Sequence, residues 1–264
     1  MLTNRLIACF DVIGNRVTKA SQFQNNIDID DVEAVAERIY NMQIDELVFY
    51  DIKASAEKRP INIDMVRRTA RQVFIPFAVG GGIRTVEDMY QVLKAGSEKI
   101  SIDSMAVRNP QLIAEGAKAF GSQCIVLSMQ VKRVEVSERI PSGYEIAIDG
   151  ARVFTGMDAL AWAKRGEELG AGEIVVNSID NDGTHGGYDL DITSRIARNV
   201  NIPVIASGGA GKPEHLRDLF RQTGASAGII SSMLYSTRLP RNYTVRELKE
   251  YLAAEGVAVR PYIE

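Results

Sequence analysis

The residues in this sequence whose types and spacing best fit a chemical task are two glycine turns. Gly80-Gly-Gly82 follows the apolar run Phe77-Ala-Val79, and Ser207-Gly-Gly-Ala-Gly211 follows Val204-Ile-Ala206. Glycine lets successive backbone N–H groups converge on an anion with no side chain in the way. Each turn has a serine-bearing partner further along, Asp103-Ser104 for the first and Ser231-Ser232 for the second. Such pairs offer hydroxyl and amide donors at the start of a short helix. One glycine turn commonly serves tight turning alone. Two, each with its partner, read as two phosphate sites: Gly81, Gly82, Asp103 and Ser104 at one, Gly208, Gly209, Ser231 and Ser232 at the other. A carboxylate beside a phosphate repels it, so Asp103 would have to contribute through its backbone N–H. Asp11, near the end of the run Leu6–Val12, supplies a carboxylate for proton transfer, or else caps the loop that follows.

The turns belong to a repeat that runs through the chain. Ile75-Pro-Phe-Ala-Val-Gly-Gly-Gly-Ile83 returns as Ile202-Pro-Val-Ile-Ala-Ser-Gly-Gly-Ala210, and Glu46-Leu-Val-Phe-Tyr-Asp51 returns as Glu173-Ile-Val-Val-Asn-Ser178. Gly96–Met105 returns as Gly224–Met233. Apolar runs alternate with amphipathic stretches, the pattern of βαβ units and a parallel sheet. The strands read as Leu6–Val12, Leu47–Asp51, Phe77–Val79, Ile100–Asp103, Cys124–Gln130, Ile174–Ser178, Val204–Ala206 and Gly228–Ser231. Most are continuous apolar runs, as strands buried on both faces should be. Asp31 and Asp158 are candidate N-caps, Pro110 and Pro213 fit first helical turns, and Gly96, Gly170 and Gly224 follow helix ends. Eight strand–helix units in 264 residues have the size and order of a (β/α)8 TIM barrel, one domain over 1–264 built from two duplicated half-barrels of about 1–122 and 123–264. An open doubly wound sheet is the alternative, but it does not naturally give two equal halves. In a barrel the strands' C-terminal ends carry the reaction. A two-fold site there suits a substrate with similar groups at both ends.

Two segments break the rhythm. Val131–Gly156 is too β-like for a simple loop and predicts a hairpin, Val134–Val136 against Glu145–Ile148, turned at Pro141-Ser-Gly143. Gly14–Asp28 is polar and reads as a lid over the site or as a solvated loop. At the opposite ends of the strands, Arg5, Glu46, Lys99 and Glu173 each precede an apolar run, so two positive and two negative charges should meet at the barrel's bottom.

Composition narrows the function classes. The chain is 45% hydrophobic and 25% charged, with a net charge of −3, which gives no electrostatic case for nucleic acid or an anionic membrane. No apolar run approaches the roughly 20 residues of a membrane span. The N-terminus lacks a signal peptide's apolar stretch, so a cytoplasmic protein is expected. Cys9 and Cys124 read as buried reduced thiols. Histidine occurs only at His185 and His215, the latter expected on a helix surface, and no Cys/His/Asp cluster has metal-ligand spacing. No metal and no cofactor are expected.

Taken together, these stretches resemble the cyclase subunit of imidazole glycerol phosphate synthase over essentially the whole chain. The matching segments include Ile7–Val12, Asp45–Asp51, Ala78–Ile83, Gly170–Glu173, Ser178–Thr184, Ile205–Lys212 and Arg246–Leu252. The resemblance implies a histidine-pathway lyase that takes ammonia from a glutaminase subunit docked as a heterodimer on the barrel's N-terminal face. It combines that ammonia with a ribulosyl-formimino-aminoimidazole-carboxamide ribonucleotide, phosphorylated at both ends. It also implies that Asp11 is catalytic, that Lys19 reaches the substrate or lids the site, and that Asp182, within Asp182-Gly183-Thr184, binds substrate hydroxyls. The alternatives are a solvated Lys19 and an Asx-turn role for Asp182. The quartet Arg5, Glu46, Lys99 and Glu173 would be an ammonia gate, or else a neutral plug that serves stability, and Glu98 would fall on the docking rim.

The sequence also departs from the family pattern. A second catalytic Asp is expected at the end of strand five, where this chain has Gln130. An amide donates and accepts hydrogen bonds but ferries no proton at neutral pH. Three readings stand: a cyclase working on Asp11 with Gln130 orienting the substrate, a barrel redirected to another ammonia acceptor, and an impaired enzyme. A phosphoribosyl-formimino isomerase, also a duplicated barrel, is a further alternative that Gln130 disfavours equally. Asp103 stands where the family usually has Asn, and Lys53 where a small hydroxyl side chain is more usual.

Overall fold

The computed structural model describes residues 2–21, 24–54, 57, 59–235 and 241–263, and the side chains of these except at 19–21 and 24–27. The first half runs β1 (Arg5–Ile13), β2 (Arg16–Ser21), β3 (Gln24–Asp31), α1 (Val32–Asn41), β4 (Glu46–Asp51), α2 (Ile63–Ala70), β5 (Phe77–Gly80), α3 (Val86–Lys94), β6 (Lys99–Ile102), α4 (Ser104–Arg108) and α5 (Gln111–Phe120). The second runs β7 (Ile125–Arg133), β8 (Tyr144–Ile148), β9 (Val153–Asp158), α6 (Ala159–Glu168), β10 (Glu173–Ser178), α7 (Leu190–Ala197), β11 (Val204–Ser207), α8 (Pro213–Gln222), β12 (Ala227–Ile229), α9 (Ser231–Tyr235) and α10 (Val245–Ala254). Parallel pairing in the order β1-β4-β5-β6-β7-β10-β11-β12 returns to β1, so the sheet closes into the expected eight-stranded barrel.

Successive side chains on a strand point to opposite faces. On β1, Leu6, Ala8, Phe10 and Val12 join the large core under the helices, whereas Ile7 belongs to a second cluster inside the barrel, with Cys9 packed against it. That inner cluster contains Val48, Ala78, Val126, Val175, Ile205, Ala227 and Ile229, contributed by the other strands. Both faces are therefore buried, which is why the strands read as continuous apolar runs. The same parity carries Arg5, Ile7, Cys9 and Asp11 up the inside of β1, from the bottom of the barrel to its mouth.

The eight strands lie where the apolar runs put them, with shifts at the ends. Asp103 and Ser231 are not strand residues: Asp103 stands at the N-cap position of α4 without a side-chain capping bond, and Ser231 opens α9. Asp158 caps α6, its carboxylate accepting from the Ala161 N–H at 3.0 Å, whereas the Asp31 side chain makes no capping bond. Pro213 sits in the first turn of α8, but Pro110 stands one step earlier, at the N-cap of α5. Gly96, Gly170 and Gly224 all have positive φ just beyond their helices.

The insertion after strand five departs from the expected hairpin. β7 continues past Gln130 and itself pairs with β8, Gln130 opposite Ala147 and Arg133 opposite Tyr144. Val134–Val136 is left in the connection, with Val136 exposed. The ladder prolongs a strand already held by the barrel on both sides, which is a better template than a free apolar triplet. A third strand, β9, pairs with β8 and was not anticipated. Between them Asp149, Gly150 and Ala151 all have positive φ, a turn that brings the insertion back over the barrel mouth. The Gly14–Asp28 segment contributes an antiparallel arm, β2 and β3, laddered onto β1 with Asp11 opposite Thr18.

At the bottom, α10 is tied to the barrel by a buried ion pair. Lys249 is 3% exposed, and its Nζ lies 2.7 Å from Asp45 Oδ1 and 2.8 Å from the Gln43 carbonyl. The other Asp45 oxygen accepts from the Leu6 N–H at 2.9 Å. Breaking a buried pair strands an unpaired charge and costs about 3–5 kcal/mol. Lys249→Met is expected to lower the unfolding free energy by about that amount in urea titrations, while the substitution of exposed Glu250 by Ala changes it by less than about 0.5 kcal/mol.

Candidate active site

The mouth of the barrel holds a cavity of about 280 Å³. Its walls include both glycine turns, Asp11, Asp103, Gln130, Ser104, Ser231, Ser232, Asp182 and Gly183, residues far apart in the chain that the closed barrel brings together.

The two glycine turns are near copies. Gly81 and Gly208 have φ of +91° and +92°, and Gly82 and Gly209 have +74° and +99°, a region that L-residues rarely enter. Space forbids a side chain as firmly as φ does. A Cβ on Gly81 would meet the Asp51 carbonyl oxygen at 2.3 Å, and one on Gly208 would meet the Ser178 carbonyl oxygen at 2.8 Å, the equivalent atom of the repeat. A Cβ on Gly209 would meet the Gly187 carbonyl oxygen at 1.9 Å. The second turn is buttressed by His215, whose Nδ1 accepts from the Gly211 N–H at 3.2 Å. His215 is half-buried, not a plain surface residue, and burial lowers its pKa.

The serine partners flank the same cavity, though their hydroxyls already have structural bonds. Ser104 Oγ accepts from the Asp149 N–H at 2.9 Å, which leaves its hydroxyl proton to donate, and Ser231 Oγ accepts from the Cys9 N–H at 2.7 Å and also bonds Tyr235. Thr184 is turned away: its exposed hydroxyl donates to the Asn181 carbonyl at 2.7 Å. The Asp182 N–H bonds the Ser178 carbonyl at 3.0 Å, closing the turn that carries its carboxylate to the cavity. The backbone of Lys19 lies in β2; its side chain falls outside the described residues.

Several groups at the cavity escaped sequence reasoning. Lys53 stands out in the sequence only as a departure from the family pattern, and Arg152, His185, Asn177, Asp149 and Tyr50 carry no such signal, although all six line the cavity. Asp51 is held by Arg59, at 2.7 and 2.8 Å, through Nη1 and Nη2 of the guanidinium. Asp149 is held likewise by Arg108. Cys9 also lines the cavity; it and Cys124 are in no disulfide and are partly exposed, not fully buried as expected.

Asp103 and Gln130 meet at the ends of neighbouring strands: Gln130 Nε2 donates to Asp103 Oδ2. Burial pushes the Asp103 carboxyl up to about 7, with Asp149 adding to the rise, while Gln130 and Arg108 oppose it. Gln130 is 7% exposed, and its Oε1 is buried without a hydrogen-bond partner.

Below the cavity the barrel is nearly filled. Tyr50 reaches across its interior, and its hydroxyl lies 3.0 Å from Ser101 Oγ. Under it is a small space of about 10 Å³, lined by Val48, Ala78, Val126, Val175 and Ile205 and floored by Glu46 and Glu173. The four charged residues close the floor as a complete ring. Arg5 Nη1 lies 2.7 Å from Glu46 and 2.9 Å from Glu173, and Lys99 Nζ lies 2.7 Å from Glu46 and 2.9 Å from Glu173. Burial raises the pKa of Glu46, an effect the two cations oppose. Among the described residues, no His/Cys/Asp/Glu group could hold a metal ion, and no helix is long and apolar enough to cross a membrane.

Comparison with known proteins bears directly on this geometry. The family described as "Histidine biosynthesis protein" matches residues 5–240. The chain is 55% identical to imidazole glycerol phosphate synthase subunit HisF of Desulfatibacillum aliphaticivorans, with all of both chains covered. It is 54% identical to the proteins of the same name from Desulfosudis oleivorans and Syntrophobacter fumaroxidans, covering 98% of this chain and 99% of each relative. Neither the isomerase nor the redirected-barrel reading is favoured by these relatives. A closed, internally repeated barrel with paired glycine turns and full-length identity of this order belongs to the histidine biosynthesis protein family, as a cyclase subunit of imidazole glycerol phosphate synthase.

Proposed function

We propose that the cavity binds a ribulosyl-formimino-aminoimidazole-carboxamide ribonucleotide stretched between the two glycine turns, one phosphate at each, and joins it to ammonia at its centre. The products are imidazole glycerol phosphate and the aminoimidazole-carboxamide ribonucleotide. The observation that carries this reading is the pair of matched turns opening on one cavity with the Asp11 carboxylate in its wall. Backbone N–H groups at positive-φ glycines form anion-binding concavities, and Ser104, Ser231 and Ser232 add hydroxyls beside them. Lys53 and Arg152 supply positive charge at the mouth. Asp182 and Gly183 are suited to the substrate's hydroxyls, and Lys19, on the arm beside Asp11, to the substrate itself. The halves of the barrel, about 1–122 and 123–264, thus each contribute one phosphate site within a single domain.

Ammonia reaches the centre from below in this reading. The ring of Arg5, Glu46, Lys99 and Glu173 acts as a gate, the apolar space above it has room for about one small molecule, and Tyr50 is the last group before Asp11. The relatives' name, a subunit of a synthase, supports a complex, and we take the partner to be a glutaminase on the N-terminal face. Leu2, 98% exposed, and Phe74, 76% exposed, lie at that end together with Glu98 and make it apolar enough for a protein contact.

Three outcomes are expected. Titration calorimetry with inorganic phosphate gives two sites per chain, and Gly81→Ala and Gly209→Ala each reduce this to one; a single site in the unaltered protein would sink the two-phosphate reading. Asp11→Asn lowers ammonium-driven turnover by about 10²–10⁴-fold, followed by absorbance, with phosphate affinity within about two-fold of the parent. Lys99→Met removes one of the ring's two cations and leaves Glu46 and Glu173 sharing Arg5. It depresses glutamine-driven turnover with the partner more than ammonium-driven turnover, because free ammonia also enters through the open mouth; equal losses would argue for a plug in place of a gate.

A further inference from the structure

Five aspartates line the cavity: Asp11, Asp51, Asp103, Asp149 and Asp182. Two of them are held by guanidinium groups, Asp51 by Arg59 and Asp149 by Arg108. Asp103 differs in kind, because its hydrogen-bonded side-chain partner is an amide, that of Gln130. An amide carries both a donor and an acceptor, so it can serve a carboxyl in both protonation states. Nε2–H donates to the carboxylate, and after a half-turn of the amide Oε1 accepts from the carboxylic acid. Gln130 Oε1 is buried and unpartnered, so an acceptor is already waiting beside the cavity.

We propose that Asp103 is a second acid–base group of the cyclisation, with Gln130 as the residue that positions it. The proposal rests on the cyclase reading above and answers the question Gln130 raises. The carboxylate missing from the end of β7 is supplied from the end of β6, the adjacent strand. The ammonia nitrogen first condenses with the ribulosyl carbonyl carbon, whose oxygen leaves as water; in the ring-closing step that nitrogen bonds to the formimino carbon and sheds a proton. The bond from that carbon to the aminoimidazole nitrogen breaks with its electron pair, and that nitrogen takes a proton. Asp11 as carboxylate receives the first proton, and Asp103 as carboxylic acid gives the second. Nothing is oxidised or reduced, and exchange with water through the open mouth restores both groups.

The surroundings of Asp103 fit the task. Gln130 faces it from β7, Arg108 from α4, Asp149 from the β8–β9 turn and Tyr50 from β4. Burial outweighs the rest and brings the carboxyl to about 7, so that acid and base are both populated at neutral pH. The sign for stability follows. The folded-state pKa lies above the ordinary value of 3.8, so the favourable contribution is complete below pH 3.8 and is lost as pH rises towards 7. Above that, the fold carries a buried anion. An Asn at 103 never ionises and still accepts from Gln130.

The test compares the parent, Asp103→Asn and the double variant Asp103→Asn/Gln130→Asp, at fixed free ammonia across pH 5.5–9. Parent turnover should fall above about pH 7 along one titration limb. Asp103→Asn should lose about 10²-fold or more in kcat together with that limb, while melting at or above the parent's temperature at pH 8. The double variant, which returns a carboxylate to the end of β7, should recover at least about ten-fold over Asp103→Asn. If Asp103→Asn keeps a third or more of the parent's turnover with the limb intact, Asp103 transfers no proton. If it loses turnover, melts lower and is not rescued by the double variant, its role is structural; either result overturns the proposal. A parent that makes no imidazole product would instead refute the cyclase reading.

Discussion

The two-residue period of the β-strand, imposed on a closed barrel, is the constraint from which the rest of this molecule follows. Closure fixes which parity points inward, and every inner column then reads as a gradient from floor to mouth. On β1 the column is Arg5, Ile7, Cys9, Asp11; on β4 it is Glu46, Val48, Tyr50; on β7 it is Val126, Ser128, Gln130. Arg5 and Glu46 put charge at the floor, Ile7, Val48 and Val126 are apolar at the waist, a thiol or hydroxyl follows at Cys9, Tyr50 and Ser128, and Asp11 and Gln130 stand at the top. A one-residue slip in any strand would send Asp11 or Gln130 into the helix layer and Phe10 or Met129 into the cavity. The core that stabilises the barrel and the site that acts in it are therefore alternate residues of the same strands.

The floor shows how a barrel tolerates four charges close to its interior. An isolated buried ion costs several kcal/mol, and a pair recovers this only when its hydrogen bonds are complete. Here each cation touches both carboxylates and each carboxylate touches both cations, so no charge is left with a single partner. Glu46 and Glu173 occupy equivalent positions of the repeat, whereas Arg5 and Lys99 do not. The ring is symmetric in its acids and improvised in its bases. The same holds at the mouth, where the glycine turns repeat faithfully while the side chains around them diverge: Asp103 opposite Ser231, Asp51 opposite Ser178. Backbone geometry is kept at both turns because positive φ and a forbidden Cβ admit only glycine, whereas the side chains beside them are free of that constraint and differ.

What the sequence revealed depended on how local the signal was. Strands were legible because burial on both faces leaves continuous apolar runs, and the glycine turns because positive φ and a forbidden Cβ leave only one residue type. The four floor charges could be gathered from their position at strand starts alone. The insertion after β7 was misread by a few residues because its register is set by the barrel neighbour and not by the apolar triplet Val134–Val136. Thr184 was grouped with the site on adjacency in the chain, yet its hydroxyl closes its own turn. Asp103 was read through its backbone, as a repeat position at a phosphate site. Its side chain's meeting with Gln130 depends on two strands lying side by side at matched height, which no single segment records.

That meeting reframes the amide at position 130. Considered alone, Gln130 reads as a lost carboxylate; beside Asp103 it is what a relocated carboxylate needs. Two carboxylates on adjacent strands at this depth would repel, and one would be forced to hold its proton against the field of the other. An Asn beside a carboxylate, or a Gln beside one, avoids that conflict while keeping a donor in contact with the acid. The positions are thus linked electrostatically: one carboxyl and one amide across β6 and β7 avoid the repulsion that two carboxylates would meet. Where the carboxyl stands decides only the side from which the substrate's centre receives its proton.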